Sequence, residues 1–137
     1  MSNVTFDMET MKLISLFQAI TRASVKDCFE NSELVFIVGE GEIGKAVGKQ
    51  GSNVKRISSA LKRKIKIVEF NHQLSQFIKN LVYPLRVEKV DEAEGIITLT
   101  AQDIQTRGYL IGRGGSSLRK LEETVKRHFP IKEIKVA

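Results

Sequence analysis

The chain has 137 residues, 42% of them hydrophobic, with 22 Lys and Arg against 16 Asp and Glu. That is enough apolar material for one ordinary domain or two small ones, and the excess of +6 predicts an anionic partner, nucleic acid or an acidic surface. The single cysteine, Cys28, excludes an internal disulfide and a four-cysteine metal site, and it reads as a small buried apolar residue in a reducing compartment.

No apolar run approaches the roughly 18 residues of a membrane span. Residues Met1–Asp7 lack the basic start and apolar stretch of a signal peptide. The expectation is a cytoplasmic protein with no membrane partner.

Taken in chain order, Met8, Met11, Leu13, Ile14, Phe17, Ile20 and Ala23 recur at helical spacing, so a helix is expected over 7–23 with Asp7 as its N-cap. Val25–Glu30 and Leu34–Val38 read as strands around an Asn31-Ser32 turn. A short helix is expected over Ile43–Val47, a longer one over Ser52–Arg63, and a strand from Ile65. The second half repeats this order. It reads as a helix over Leu74–Leu81 closed by Tyr83-Pro84, a strand over Leu85–Val90 and an acidic turn over Asp91–Gly95. A strand over Ile96–Ala101, a helix from the cap Asp103 through Ile111, a helix over Ser116–Phe129 and a strand over Ile131–Val136 complete it.

The two halves share more than this order. Gly44, Gly48, Gly51 and Ser52 return as Gly108, Gly112, Gly115 and Ser116, and the pair Lys55-Arg56 returns as Arg119-Lys120, all in one ungapped register. Such spacing implies two copies of one structural unit, each α-β-β-α-α-β with a three-stranded sheet on helices, an α+β fold divided at 1–72 and 73–137. Each half carries a net charge of +3, so the basicity belongs to the repeated unit. The join near Asn71–Gln73 has no linker composition.

Several enzyme-like patterns fail on inspection. Gly39-Glu40-Gly41-Glu42-Ile43-Gly44 matches a dinucleotide-binding glycine pattern, but no acid lies between Glu42 and Glu69 to hold a ribose. Gly39 to Lys45 fits a phosphate loop, but Ala46 stands where a magnesium-binding hydroxyl is required. His72 and His128 are single and lack companions at metal-ligand spacing. No nucleophile stands with a base. The reading is therefore a protein with no catalytic residues, no metal and no cofactor.

The centre of each repeat is an aliphatic residue followed by G-x-x-G: Val47-Gly48-Lys49-Gln50-Gly51 and Ile111-Gly112-Arg113-Gly114-Gly115. Glycines there open backbone conformations closed to other residues and remove the Cβ atoms that would hold a ligand away. The helix that follows points free N–H groups at the gap. Ser52 and Ser116 at its start would cap it or donate to a phosphate. From Ile43 to Val68 there are eight cations and no acids: Lys45, Lys49, Lys55, Arg56, Lys62, Arg63, Lys64 and Lys66. From Ile104 to Leu121 there are Arg107, Arg113, Arg119 and Lys120, again without acids. A polyanion laid against the turn would displace counterions.

These features resemble the KH motif, whose G-x-x-G loop clamps about four nucleotides of single-stranded nucleic acid. The element order is similar to the type II KH arrangement. Two nearly abutting units with G-K-Q-G and G-R-G-G turns resemble, over essentially the whole chain, the paired KH region of the NusA family of transcription factors. Bacterial members add a polymerase-binding domain and an OB-type barrel, for which this sequence has no room, so the short archaeal NusA-like form is implied.

The resemblance implies an RNA-binding set of Gly48, Lys49, Gln50, Gly51, Ser52 and Lys55, then Gly112, Arg113, Gly114, Gly115, Ser116 and Arg119, with Lys49, Gln50 and Arg113 meeting phosphates. Gly44 and Gly108 would let the short helix start close to the sheet. Ile43, Val47, Val54, Ile57 and Ile65–Val68 would wall one groove, and Leu110, Ile111, Leu118, Leu121 and the last strand the other. With nine aromatics and no Trp, stacking platforms of the RRM kind are not expected. The implied partners are single-stranded RNA and, as a candidate, RNA polymerase, with the chain acting as a monomer. A ribosome-associated or ribosome-assembly RNA binder is the alternative, and a protein scaffold that has lost RNA binding is a third, less well matched to the cations in both turns.

Overall fold

The structure is a computed structural model and describes residues 6–137; the first five, part of the stretch read above for a leader, lie outside them. The chain divides into two compact units, with the boundary between His72 and Gln73. It is an α+β protein with two three-stranded sheets, each built in the order α-β-β-α-α-β.

In the first unit, α1 (Met8–Thr21) starts where Asp7 accepts a 2.7 Å hydrogen bond from the Thr10 amide. It stops two residues short of the expectation because Arg22 turns into the left-handed region at φ 62°. The Thr21 hydroxyl reinforces that end, donating to the Phe17 carbonyl and accepting from the Ala23 amide. Strands β1 (Val25–Glu30) and β2 (Leu34–Val38) pair antiparallel, and β3 (Ile65–Glu69) adds parallel to β2. Every residue of β2 is buried, as a strand covered on both faces must be. Helices α2 (Ile43–Val47) and α3 (Ser52–Leu61) lie between β2 and β3 in sequence. A left-handed Lys62 ends α3 before the expected Arg63. Phe17 of α1 stacks on Phe36 of β2 at 4.2 Å, and both are fully buried among Cys28, Val38, Ala46 and Ile57.

In the second unit, α4 (Leu74–Val82) is followed by β4 (Val87–Ala93), β5 (Ile96–Ala101) and β6 (Glu133–Val136), again antiparallel then parallel. Strand β4 runs through most of the expected acidic turn. The turn itself is only Glu94-Gly95, both at positive φ (53° and 83°), a two-residue connection whose twist matches that of the strands. Asp91 and Glu92 are therefore exposed strand residues. Helix α5 (Ile104–Ile111) begins at Asp103, which accepts from the Thr106 amide at 2.7 Å, and α6 (Ser116–Lys126) ends three residues before Phe129. Ile78, Ile97, Leu99, Val125 and Ile134 form the core. Among the described residues no helix is long and apolar enough to cross a membrane.

Two outcomes are expected. Phe36→Ala should cost about 3–5 kcal/mol, read as a lowered urea midpoint. The hydrogen bonds from Thr10 and Thr106 hold the Asp7 and Asp103 carboxyls below the ordinary 3.8. Their capping contribution is thus complete above pH 3.8 and lost as pH falls through the depressed values. Asp103→Asn keeps a capping oxygen but cannot titrate, so its stability should fall less steeply on acidification than that of the unmodified chain.

Candidate nucleic-acid interface

Between α2 and α3 the backbone makes a reversal that only glycine accommodates. Gly48 sits at φ 79°, ψ 167°, a region essentially reserved for glycine. A Cβ there would come within 2.9 Å of the Asn53 backbone nitrogen. One tight turn follows, with Gln50 at φ 56° and Gly51 at φ 73°, before α3 starts. The second unit does the same between α5 and α6. Gly112 lies at φ 74°, ψ 174°, Gly114 at φ 61° and Gly115 at φ 79°, and a Cβ on Gly112 would approach the Ser117 nitrogen to 2.8 Å.

Each turn is braced differently. In the first, the Asn53 side chain donates to the Lys45 carbonyl at 3.1 Å, tying α3 to α2. In the second, the Arg119 guanidinium donates to the Gly114 carbonyl at 2.7 Å, across the bend itself. Arg119 therefore fixes the loop as well as charging it.

Two expectations about these turns need correction. Ser52 and Ser116 do not cap their helices. They have helical backbone angles, and left-handed Gly51 and Gly115 occupy the cap positions with no side-chain bond. Gly44 and Gly108 do not serve a close approach to the sheet, because a Cβ at either would meet nothing within 4 Å.

Of the sequence-predicted residues, Lys49, Gln50, Ser52, Lys55, Arg113, Gly114 and Arg119 are exposed, while Gly48, Gly51, Gly112, Gly115 and Ser116 are half-buried. Within each unit they gather at one helix–turn–helix corner. The proposed groove walls divide. Ile57, Ile65, Val68, Leu110 and Ile134 are buried, whereas Ile43, Val47, Val54, Ile67, Ile111, Leu118, Leu121 and Val136 keep partial exposure.

The fold also brings acids to a run that has none in sequence. Glu30 pairs with Arg63, and Glu42 lies 3.5 Å from Lys45. Burial pushes the Lys66 ammonium down from its ordinary pKa, with Glu33 opposing that shift. Among the described residues, Lys49, Lys55, Arg56, Lys62 and Lys64 have no ion pair, and neither do Arg107, Arg113, Arg119 and Lys120.

The other acids near the first turn are engaged. The Ser24 hydroxyl, then its amide, hold the Glu42 carboxyl below its usual range. The His72 ring and amide do the same for Glu40. These bonds link residues far apart in sequence and carry no spacing signal. Among the described residues no group of three or more His, Cys, Asp or Glu could hold a metal ion.

A glycine-only reversal between two helices, set beside a three-stranded sheet of this order, defines a KH-type fold. Comparison with known proteins gives the same class: the KH-domain profile matches residues 13–95. The probable transcription termination protein NusA of Methanococcus vannielii is 33% identical over 137 residues, covering 97% of this chain and 79% of that protein. The protein of that name in Methanocaldococcus jannaschii is 31% identical over 140 residues, with 99% and 76% covered. The crystal structure of APE1850 superposes with a TM-score of 0.72 at 27% identity, over 96% of this chain and all of that one. This chain belongs to the KH-domain family and, within it, to the archaeal NusA-like proteins. Membership makes it a binding protein and not an enzyme.

Gly48→Ala and Gly112→Ala should each destabilise their unit by about 1–3 kcal/mol. Gly44→Ala and Gly108→Ala, in open helical positions, should instead stabilise by about 0.5–1 kcal/mol. Thermal denaturation of the four variants distinguishes the two classes.

Proposed function

We propose that this chain is a non-catalytic transcription factor of the NusA kind that binds single-stranded, nascent RNA through two KH domains, residues 1–72 and 73–137, and so modulates elongation, pausing and termination. The observation that carries the reading is the pair of glycine-only reversals, each at the start of a helix of ten or eleven residues and each among cations without ion pairs.

A sugar-phosphate backbone would lie against Gly48–Gly51 and Gly112–Gly115, where no Cβ at the reversal stands in its way. The N-termini of α3 and α6 add their free N–H groups and positive dipole ends. Lys49, Gln50 and Arg113 reach phosphates from the tips of the turns. Ser52 and Ser116, not engaged as caps, are available to donate to the same oxygens. Lys55 supplies charge one turn into α3, and Arg119 does so while holding its loop in shape.

The half-buried aliphatic residues of α2, α3 and β3, and of α5, α6 and β6, then face the bases. Contact there is by van der Waals packing and by backbone groups of the edge strands. With about four nucleotides per clamp, an RNA of about eight would engage both. The second encounter is then intramolecular, which raises affinity without new contacts. RNA polymerase is the protein partner this role implies, and the chain acts as a monomer.

The combined replacement of Lys49, Gln50, Arg113 and Gly114 by Asp should lower affinity for an unstructured RNA octamer by at least about 100-fold, with an unchanged circular dichroism spectrum. Positions 50 and 114 are already left-handed, a region that Asp tolerates. Wild-type affinity in the folded variant would remove the clamps. Affinity should also fall linearly on a log–log plot against salt, by about 0.7 per phosphate neutralised; a flat dependence contradicts the reading. Sedimentation with ribosomal subunits in place of polymerase would move the protein to ribosome assembly.

A further inference from the structure

The two turns are alike in backbone, but the helices leading into them present different chemistry. In α2, Lys45 is held beside Glu42. The residue in the same register of α5 is Tyr109, 59% exposed, and Ile104 at the start of that helix is 89% exposed. Tyr109 stands three residues before Gly112, so the two share a helix face, and the ring is presented within one turn of the bend.

Between Ile104 and Tyr109 on this surface, Gly108 leaves bare helix. A glycine within a helix costs stability, and here neither backbone angle nor crowding requires it, since a Cβ would meet nothing within 4 Å. Among the described residues, the one polar contact of the Tyr109 ring is a long one, 3.5 Å from the Gln105 amide to its hydroxyl. The ring is thus largely exposed, beside the bare helix at Gly108 and on the helix that leads into the turn bearing the unpaired, exposed Arg113.

We infer that Tyr109 is a base-stacking platform: it takes the face of one nucleobase of the strand whose phosphates lie on the second bend, with Gly108 leaving room for the base edge. The inference rests on the RNA-binding reading above and makes its two clamps unequal. Both hold their strand by charge and groove packing, and the second also stacks a base on an aromatic ring. Aromatic stacking tolerates any base, so this contact adds affinity and register without sequence choice.

The test uses the full chain and an unstructured RNA octamer, intact and with one abasic site placed at each position in turn. Tyr109→Ala should weaken binding of the intact octamer about tenfold, and Tyr109→Phe, which keeps the ring, should restore it. One abasic position should cost the unmodified protein the same factor and cost Tyr109→Ala nothing further. In a Tyr83→Phe background Tyr109 is the only tyrosine of a chain without Trp, and its fluorescence should be quenched on saturation with RNA. Wild-type affinity in Tyr109→Ala, or unquenched fluorescence at saturation, overturns the platform. If RNA binding is then still abolished by aspartates in the two bends, the clamps stand without it. No RNA binding by the unmodified chain overturns both.

Discussion

Everything in this molecule turns on a backbone reversal that L-residues with a Cβ cannot make. At Gly48 and Gly112 the chain takes a φ near +75° with an extended ψ, and the following helix returns so closely that its second residue's nitrogen occupies the space of a side chain. This geometry sets α3 and α6 at the end of α2 and α5. On the bends themselves, Gly51 and Gly114, where a Cβ would meet nothing within 4 Å, leave open space beside the backbone. A phosphodiester chain needs just such a surface, because close approach multiplies the effect of N–H dipoles and nearby cations.

The charge pattern follows from the fold more than from the count. Both halves have the same net charge, yet the first unit neutralises Arg63 and Lys45 with acids from β1 and from the residue before α2, and partly desolvates Lys66 on β3. Lys49 of the turn, Lys55 and Arg56 of α3, and Lys62 and Lys64 of the α3–β3 connection have no ion pair among the described residues. In the second unit, Arg107, Arg113, Arg119 and Lys120 have no ion pair among the described residues, while Lys126 at the end of α6 pairs with Glu122.

Much of the architecture was legible from residue pattern. Val25–Glu30, Leu34–Val38, Ile96–Ala101 and Ile43–Val47 have the bounds their hydrophobic runs predict, and the Asp7 and Asp103 caps act as their positions suggest. Helix ends were less legible, because Arg22 and Lys62 enter the left-handed region without the glycine or asparagine that ordinarily announces it. The charge of the stretch after Val90 suggests a turn, but Glu94-Gly95 alone supplies the reversal. The serines after each bend resembled caps, but the glycines ahead of them fill that position. The ion pair Glu30–Arg63 and the bonds of Glu42 to Ser24 and of Glu40 to His72 join distant residues, so no local pattern could forecast them.

The proposed function requires that a single strand contact the two bends. A titration of the isotopically labelled chain with an unstructured RNA octamer, followed through backbone amide resonances, tests it most directly. The amides of Gly48–Asn53 and Gly112–Ser117 should move first and furthest, with smaller shifts on β3 and β6. Shifts confined to the outer strands β1 and β4, with both bends unmoved at saturation, would contradict it.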